Sequence, residues 1–232
     1  MRILWGRENS LNVMKIVWLL EELRAPYSRC DVGGSFGQLD TPGFTAMNPN
    51  QQIPVLQEDG FTLWESNAIL RYLAATVPGA GVLYPAEPRS RANIDRWMDW
   101  QQTELADSLG RLFQWTTRTP AHLREPKLIA RALTSATRHM AMLEAALGDH
   151  AALTGPSLSL ADFAIGPFLH RWFTLPIDRP EFAKLAAYHA LLLERAAFAT
   201  HATLPPRPLR VQTQVVKPAV ATRPKLRVVA GE

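Results

Sequence analysis

The chain changes its rhythm once, and that change bounds what it can fold into. Up to residue 77, short apolar runs alternate with helical periods. After "VPGAGVLYPAEP" (77–88), rich in Pro and Gly, only helical periods remain. A turn-forming stretch of this kind between two periodic regions marks a domain boundary. The reading is a first domain over 1–77, a linker over 78–88, a second domain over 89–203 and a tail over 204–232. With 232 residues, of which 47% are hydrophobic, the chain is long enough for two small domains with a substantial core.

In the first region "RILW" (2–5) is a short apolar run expected to be a buried strand. Residues 12–24 form a helix, because Val13, Ile16, Val17, Leu20 and Leu23 recur at three- and four-residue spacing. "PYSRCDV" supplies a second strand after the turn at Pro26. "IPVLQ" and "FTLW" are two further strands, and the turn "EDG" between them makes a hairpin. A helix from Glu65 to about Thr76 carries apolar Ala68, Ile69, Tyr72 and Leu73. The order β-α-β, irregular link, β-β-α is that of an α/β thioredoxin-like domain.

The second region reads as all-α. One helix over 89–117 aligns Ile94, Trp97, Met98, Leu105, Leu109, Leu112 and Phe113. A second over 127–147 aligns Ile129, Leu133, Ala136, Met140, Leu143 and Leu147, with Gly148 as the residue that ends it. A third starts at Ser159 and a fourth near Glu181. Around the third, Ser159 and Asp162 have capping-box spacing, and Leu158 with Phe163 has that of a hydrophobic staple.

The net charge of +4 is misleading, because the basicity sits in the tail. Residues 204–232 hold six basic side chains and one acidic one, and the rest of the chain has 19 basic and 20 acidic residues. That balance argues against a nucleic-acid groove on the folded body. The tail itself, dominated by Pro and basic residues without a period, reads as a disordered extension. No apolar run reaches the length of a membrane span, and "MRILWGRENS" lacks the apolar core of a signal peptide. Cys30 is the single cysteine, so no intrachain disulfide is available. These features lead us to expect a cytoplasmic protein. The six His show no metal-ligand spacing, so no metal is expected.

Three short stretches bear on chemistry. In "GRENSLNVMK" a Ser and two Asn precede the first helix. A helix start leaves backbone N–H groups unpaired and carries partial positive charge. Ser10 or Asn12 would serve there as an ordinary N-cap. Alternatively, the site holds an anionic sulfur: a helix N-terminus with added donors lowers a thiol pKa, and a Ser hydroxyl donates without ionising. In "QQIPVL", Pro54 opens a strand. A cis Ile53–Pro54 bond would present the Ile53 backbone to an extended ligand, whereas a trans bond would make it a plain edge proline. In "WESNAI", Glu65 and Ser66 either cap the helix or grip a carboxylate and an ammonium.

Taken together, "NSLNVMKI", "NPNQQIPVL", "WESNAILRYLA" and "SLADFAIGPF" resemble, in order and spacing over residues 1 to about 202, a cytosolic glutathione transferase of the bacterial theta-, beta- or nu-like type. The resemblance implies a thioredoxin-like N-terminal domain, an all-helical C-terminal domain and a homodimer. Glutathione would be the co-substrate, bound on the first domain, with a small hydrophobic electrophile between the two. It places the thiol-activating hydroxyl at Ser10, a second donor at Asn12, and a rival at Asn9 should the turn slip by one residue. It places backbone clamping at Ile53, the cis-proline at Pro54, a weaker contact at Gln52, and the grip on the γ-glutamyl end at Glu65 and Ser66. Neither Tyr nor Cys stands at positions 9–12, which sets aside the tyrosine-dependent classes and the members that form a mixed disulfide. Asp162 is left to folding. Trp5, Phe36, Arg111, Trp115 and Trp172 are candidates for the co-substrate pocket, although aromatics at helical spacing also serve as core. Conjugation is the expected activity. The rivals are glutathione-dependent disulfide reduction and a non-catalytic binding protein with the same fold.

Overall fold

The structure, a computed structural model, describes residues 1–206 together with Arg227 and Val228. The first domain runs β1 (Arg2–Trp5), α1 (Leu11–Glu22), β2 (Ser28–Cys30), α2 (Pro42–Met47), β3 (Val55–Glu58), β4 (Phe61–Trp64) and α3 (Ser66–Thr76). β1 lies parallel to β2 and antiparallel to β3, and β4 closes the hairpin on β3. A two-residue strand, β5 (Arg227–Val228), pairs antiparallel with the free edge of β2, so the sheet order is β4-β3-β1-β2-β5. The expectation of a disordered tail otherwise falls on 207–226 and 229–232, outside the described residues.

Alternation along the strands sorts two faces. Leu4 and Leu56, opposite each other, point into the main core beneath α1 and α3. Val55 points the other way, into a small cluster with Val32 and Phe44 of α2, against which Trp5 packs. Helix α2 was not expected. Its six residues are too few for a periodic pattern, and it is specified instead by Pro at its start and by Thr41, whose hydroxyl accepts from the Phe44 N–H at 3.3 Å.

The second domain contains α4 (Pro88–Trp100), α5 (Ala106–Phe113), α6 (Pro126–Leu147), α7 (Leu160–Thr174), α8 (Ala183–Leu193) and α9 (Ala196–His201). The single helix expected over 89–117 is interrupted by π-helical turns at Gln101–Leu105 and Gln114–Arg118. Such turns recur at functional sites, and both lie beside the groups described below. Helix α7 starts with the expected box. The Asp162 carboxylate accepts from the Ser159 N–H at 2.7 Å and the Leu153 N–H at 2.9 Å, and also from the hydroxyls of Ser159 and Tyr188. Burial pushes that carboxyl's pKa up, against four donors that favour its charged form.

The two domains share one hydrophobic core. Helix α1 packs on α7 and α9 as well as on the sheet, so it is covered on all sides rather than along the single stripe its spacing suggested. Trp18 is fully buried, 4.2 Å from the Phe163 ring and 4.7 Å from the Phe198 ring between centroids. Gly166 permits this approach: a Cβ there would stand 2.7 Å from the Trp18 ring and 3.0 Å from that of Phe198.

Candidate active site

The chain leaves β1 through Gly6, which adopts φ 152° and lets the turn press against its neighbours. A Cβ at Gly6 would lie 2.5 Å from Val13 Cγ2 and 3.3 Å from Ile53 Cβ. The start of α1 is thereby drawn next to the strand entrance at Ile53. Ser10 is the N-cap residue of α1, 8% exposed, but its side chain makes no capping hydrogen bond. Among the described residues the Ser10 hydroxyl is not committed to a partner. The Asn9 side-chain amide donates to the Pro205 carbonyl at 3.5 Å, and its Oδ1 is buried without a partner among the described residues, as is Oδ1 of Asn12. Polar atoms at a plain cap would be engaged with the helix. Here the Ser10 hydroxyl and the two Asn oxygens, all near the positive end of α1, make no such bond among the described residues.

Ile53–Pro54 is cis and leads into β3. Gln52 is exposed just before it, and Ile53 is half-buried. At the start of α3, Glu65 has φ 72° and makes no capping bond of its own, while Gln102 donates to its carboxylate at 3.4 Å. Gln51 also has a left-handed backbone, at φ 53°. Non-glycine residues in that region cost about 1–3 kcal/mol and cluster at ligand clamps.

Lys15 went unnoticed in the sequence. It is fully buried at the meeting of the domains and donates to Ser66 Oγ at 3.2 Å, Asn67 Oδ1 at 3.2 Å and Gln101 Oε1 at 2.6 Å. Asn67 in turn donates to the Met98 carbonyl at 2.7 Å. Burial lowers the Lys15 pKa to about 7, and the nearby Glu65 carboxylate offsets part of that fall. Ser66, the residue expected to meet a carboxylate, thus has a titratable amine behind it. The only cue in the sequence was a lysine inside "NVMKIVWLL".

A cavity of about 410 Å³ opens on the helical side of the same turn, lined by Phe113, Thr116, Arg171, Leu175, Thr203 and Pro205 among others. Its link to the start of α1 is the Asn9 contact with Pro205. A larger cavity, about 1000 Å³, lies between the last turn of α1 and α8–α9, at the far end of α1 from Ser10.

Three of the five expected pocket residues lie elsewhere. Trp5 is on the α2 face of the sheet, its indole N–H donating to Gln57 Oε1 at 2.7 Å, because strand alternation turns it away from the helical domain. Arg111 is exposed and pairs with Asp107 one turn earlier on α5. Trp172 is fully buried in the helical core, since the roughly 100° between successive helix residues puts it in the interior when Arg171 faces the cavity. Trp115 is half-buried on the 114–118 turn, and Phe36 is half-buried in the Gly34–Phe36 turn after β2. Among the described residues no group of three or more His, Cys, Asp or Glu is placed to hold a metal ion, and no helix is long and apolar enough to cross a membrane.

This combination of a thioredoxin-like domain, a helical domain and a polar helix start facing a cis-proline defines a class. The family models for the glutathione S-transferase N-terminal and C-terminal domains match residues 2–75 and 126–191. Glutathione S-transferase GstB of Escherichia coli (strain K12) is 36% identical over 196 residues, covering 84% of this chain and 94% of that protein. The disulfide-bond oxidoreductase YfcG of the same strain is 30% identical over 193 residues, covering 80% and 87%. The theta class glutathione S-transferase of Xanthomonas axonopodis pv. citri, solved with glutathione bound, superposes with a TM-score of 0.84 at 42% identity, covering 88% of this chain and 98% of that one. The chain belongs to the glutathione S-transferase family.

Proposed function

We propose that the protein is a glutathione transferase that binds glutathione across the groove from Ser10 to Ser66, holds its thiol as a thiolate with the Ser10 hydroxyl, and passes the sulfur to an electrophile seated in the cavity beneath α7. The uncommitted Ser10 hydroxyl at the N-terminus of α1 carries this reading. Its hydrogen is available to a sulfur, whereas the Asn9 amide is turned toward Pro205. Asn12 acts as a second polar contact. Ile53 and the cis Pro54 offer backbone to the peptide-like middle of glutathione, with Gln52 at its margin, and Glu65 and Ser66 take its ammonium and carboxylate. Glutathione enters as co-substrate, and positioning beside a preorganised donor supplies much of the rate. We assign the working unit as a homodimer, supported by Phe61 and Trp64, which are 47% and 37% exposed on the edge strand β4. The location we propose is cytoplasmic, in keeping with a single, buried cysteine.

The test is Ser10→Ala, assayed by conjugation of glutathione to a chloronitrobenzene. Turnover is expected to fall at least 100-fold, with binding to immobilised glutathione nearly intact. An unchanged rate would move the role to Asn9 or Asn12. The likeness to YfcG supports a second reading, in which the same hydroxyl steadies a sulfur during reduction of a mixed disulfide. Faster turnover of glutathione-capped disulfides than of aryl halides would favour it. Binding without either turnover would leave a non-catalytic glutathione-binding protein.

A further inference from the structure

The cavity next to Ser10 is lined in part by a charge with no counter-charge. Arg171 is only 6% exposed, yet among the described residues its guanidinium has no carboxylate or carbonyl partner. Its one close neighbour of note is the Phe113 ring, 4.6 Å away, and the Arg118 guanidinium lies 5.1 Å from the same ring. Arg118 is also near Arg7, which approaches the turn after β2, where a Cβ on Gly34 would stand 3.1 Å from Arg7 Cδ. No Asp or Glu is among the residues lining the cavity. His170, which also lines it, adds little positive charge: burial and Arg171 lower its pKa, and its Nδ1 faces His189 Nε2 at 3.0 Å. Arg118 therefore repels both Arg7 and Arg171, and the second arginine that lines the cavity, Arg124, is engaged by the Thr119 carbonyl at 2.9 Å. Burial and the repulsion of Arg118 bring the Arg171 pKa down to about 10. A buried cation of this kind is unfavourable unless an anion completes it, and a purely apolar co-substrate would leave it unsatisfied.

We propose that the co-substrate of this site carries an anionic group, a carboxylate or one of similar shape, held by Arg171 and Arg118 while its electrophilic carbon faces the sulfur beside Ser10. This rests on the transferase reading above and narrows its substrate class from apolar electrophiles to electrophilic acids. Arg171 provides a planar pair of donors suited to a carboxylate, and Phe113 packs against an aromatic or aliphatic body. In the reaction tested, the thiolate of glutathione adds to a ring carbon bearing chlorine. The C–S bond forms, the C–Cl bond breaks, and chloride leaves with the bonding pair.

The probes are 4-chloro-3,5-dinitrobenzoate and its neutral counterpart 4-chloro-3,5-dinitrobenzamide, which differ little in shape and share the reacting carbon. The wild-type enzyme is expected to show the higher kcat/KM on the benzoate, after correction for the uncatalysed rates. Arg171→Met should lower the benzoate-to-benzamide ratio about 10- to 100-fold, the range set by losing a charge-assisted contact. Arg118→Gln, on an exposed side chain, should lower it severalfold, and Arg171→Lys should restore part of it. Equal losses on both probes, or a wild-type preference for the benzamide, would overturn the proposal and leave the transferase reading standing. Conjugation of neither probe would overturn that reading and this one with it.

Discussion

Replacing Lys15 with Met tests how a buried amine is held at the junction of the two domains. Three acceptors at 2.6–3.2 Å favour the charged form, while complete burial disfavours it. With burial dominant, the pKa falls from 10.5 to about 7. At about 1.4 kcal/mol for each pH unit, that fall means charged Lys15 costs the native state on the order of 5 kcal/mol. The sign follows from proton counting. Between pH 7 and 10.5 the unfolded chain holds the Lys15 proton and the native chain does not, so this group makes stability rise with pH across that window. Below pH 7 both states hold the proton and the contribution is flat. Met keeps the unbranched shape of the side chain, one atom shorter, and removes the titration. Urea unfolding of wild type and Lys15→Met at pH 7.5, 8.5 and 9.5 should therefore diverge, wild type gaining about 1.4 kcal/mol on the variant per pH unit. Parallel stabilities would refute the reasoning and mean that the acceptors keep Lys15 charged. The outcome matters for the ligand groove. A neutral Lys15 has a lone pair to which Ser66 Oγ–H can donate, turning that hydrogen inward. A charged Lys15 donates to Ser66 and leaves its hydrogen for a carboxylate. The thiolate formed on binding releases protons in both proteins, so glutathione binding at pH 8 should take up close to one proton more in wild type than in the variant, read by calorimetry in buffers of different ionisation enthalpy.

Two further predictions concern the core. Gly166→Val should destabilise the protein by about 1–3 kcal/mol, read as a lower urea midpoint, because the added atoms meet the Trp18 and Phe198 rings rather than a flexible side-chain end. Asp162→Ala should cost about 3 kcal/mol or more, since it strands the buried N–H groups of Leu153 and Ser159 and the Tyr188 hydroxyl; a melting temperature within a degree of wild type would contradict that assignment.

Local chemistry was legible in the sequence. The capping box at Ser159 and Asp162, the "EDG" hairpin, the switch to helical period after residue 77 and the helix starts near Ser10 or Asn12 and at Glu65, each within one residue of the observed start, depend on neighbours a few residues away. What long-range packing decides was hidden. Lys15 sits where a stripe reading expects a solvent-facing lysine, and the arrival of α3, the 101–105 turn and α7 around α1 buries it. Arg171 reads as an ordinary cation in the last turn of α7, and its burial against Phe113 depends on a chain crossing from α5. Four of the five pocket candidates are aromatic, but which side of a helix or strand faces a cleft is a matter of packing, and Trp5 and Trp172 face elsewhere. Helix α9, six residues long, offered too short a period to find.

The indole of Trp18, wedged between Phe163 and Phe198 with no side chain at position 166 to keep it out, rivets the two halves of the molecule together. Prising them apart would expose part of the core that both share, Trp18, Phe163 and Phe198 included. With one core running through both halves, denaturation is expected to be a single cooperative event, with no separate transition for either half.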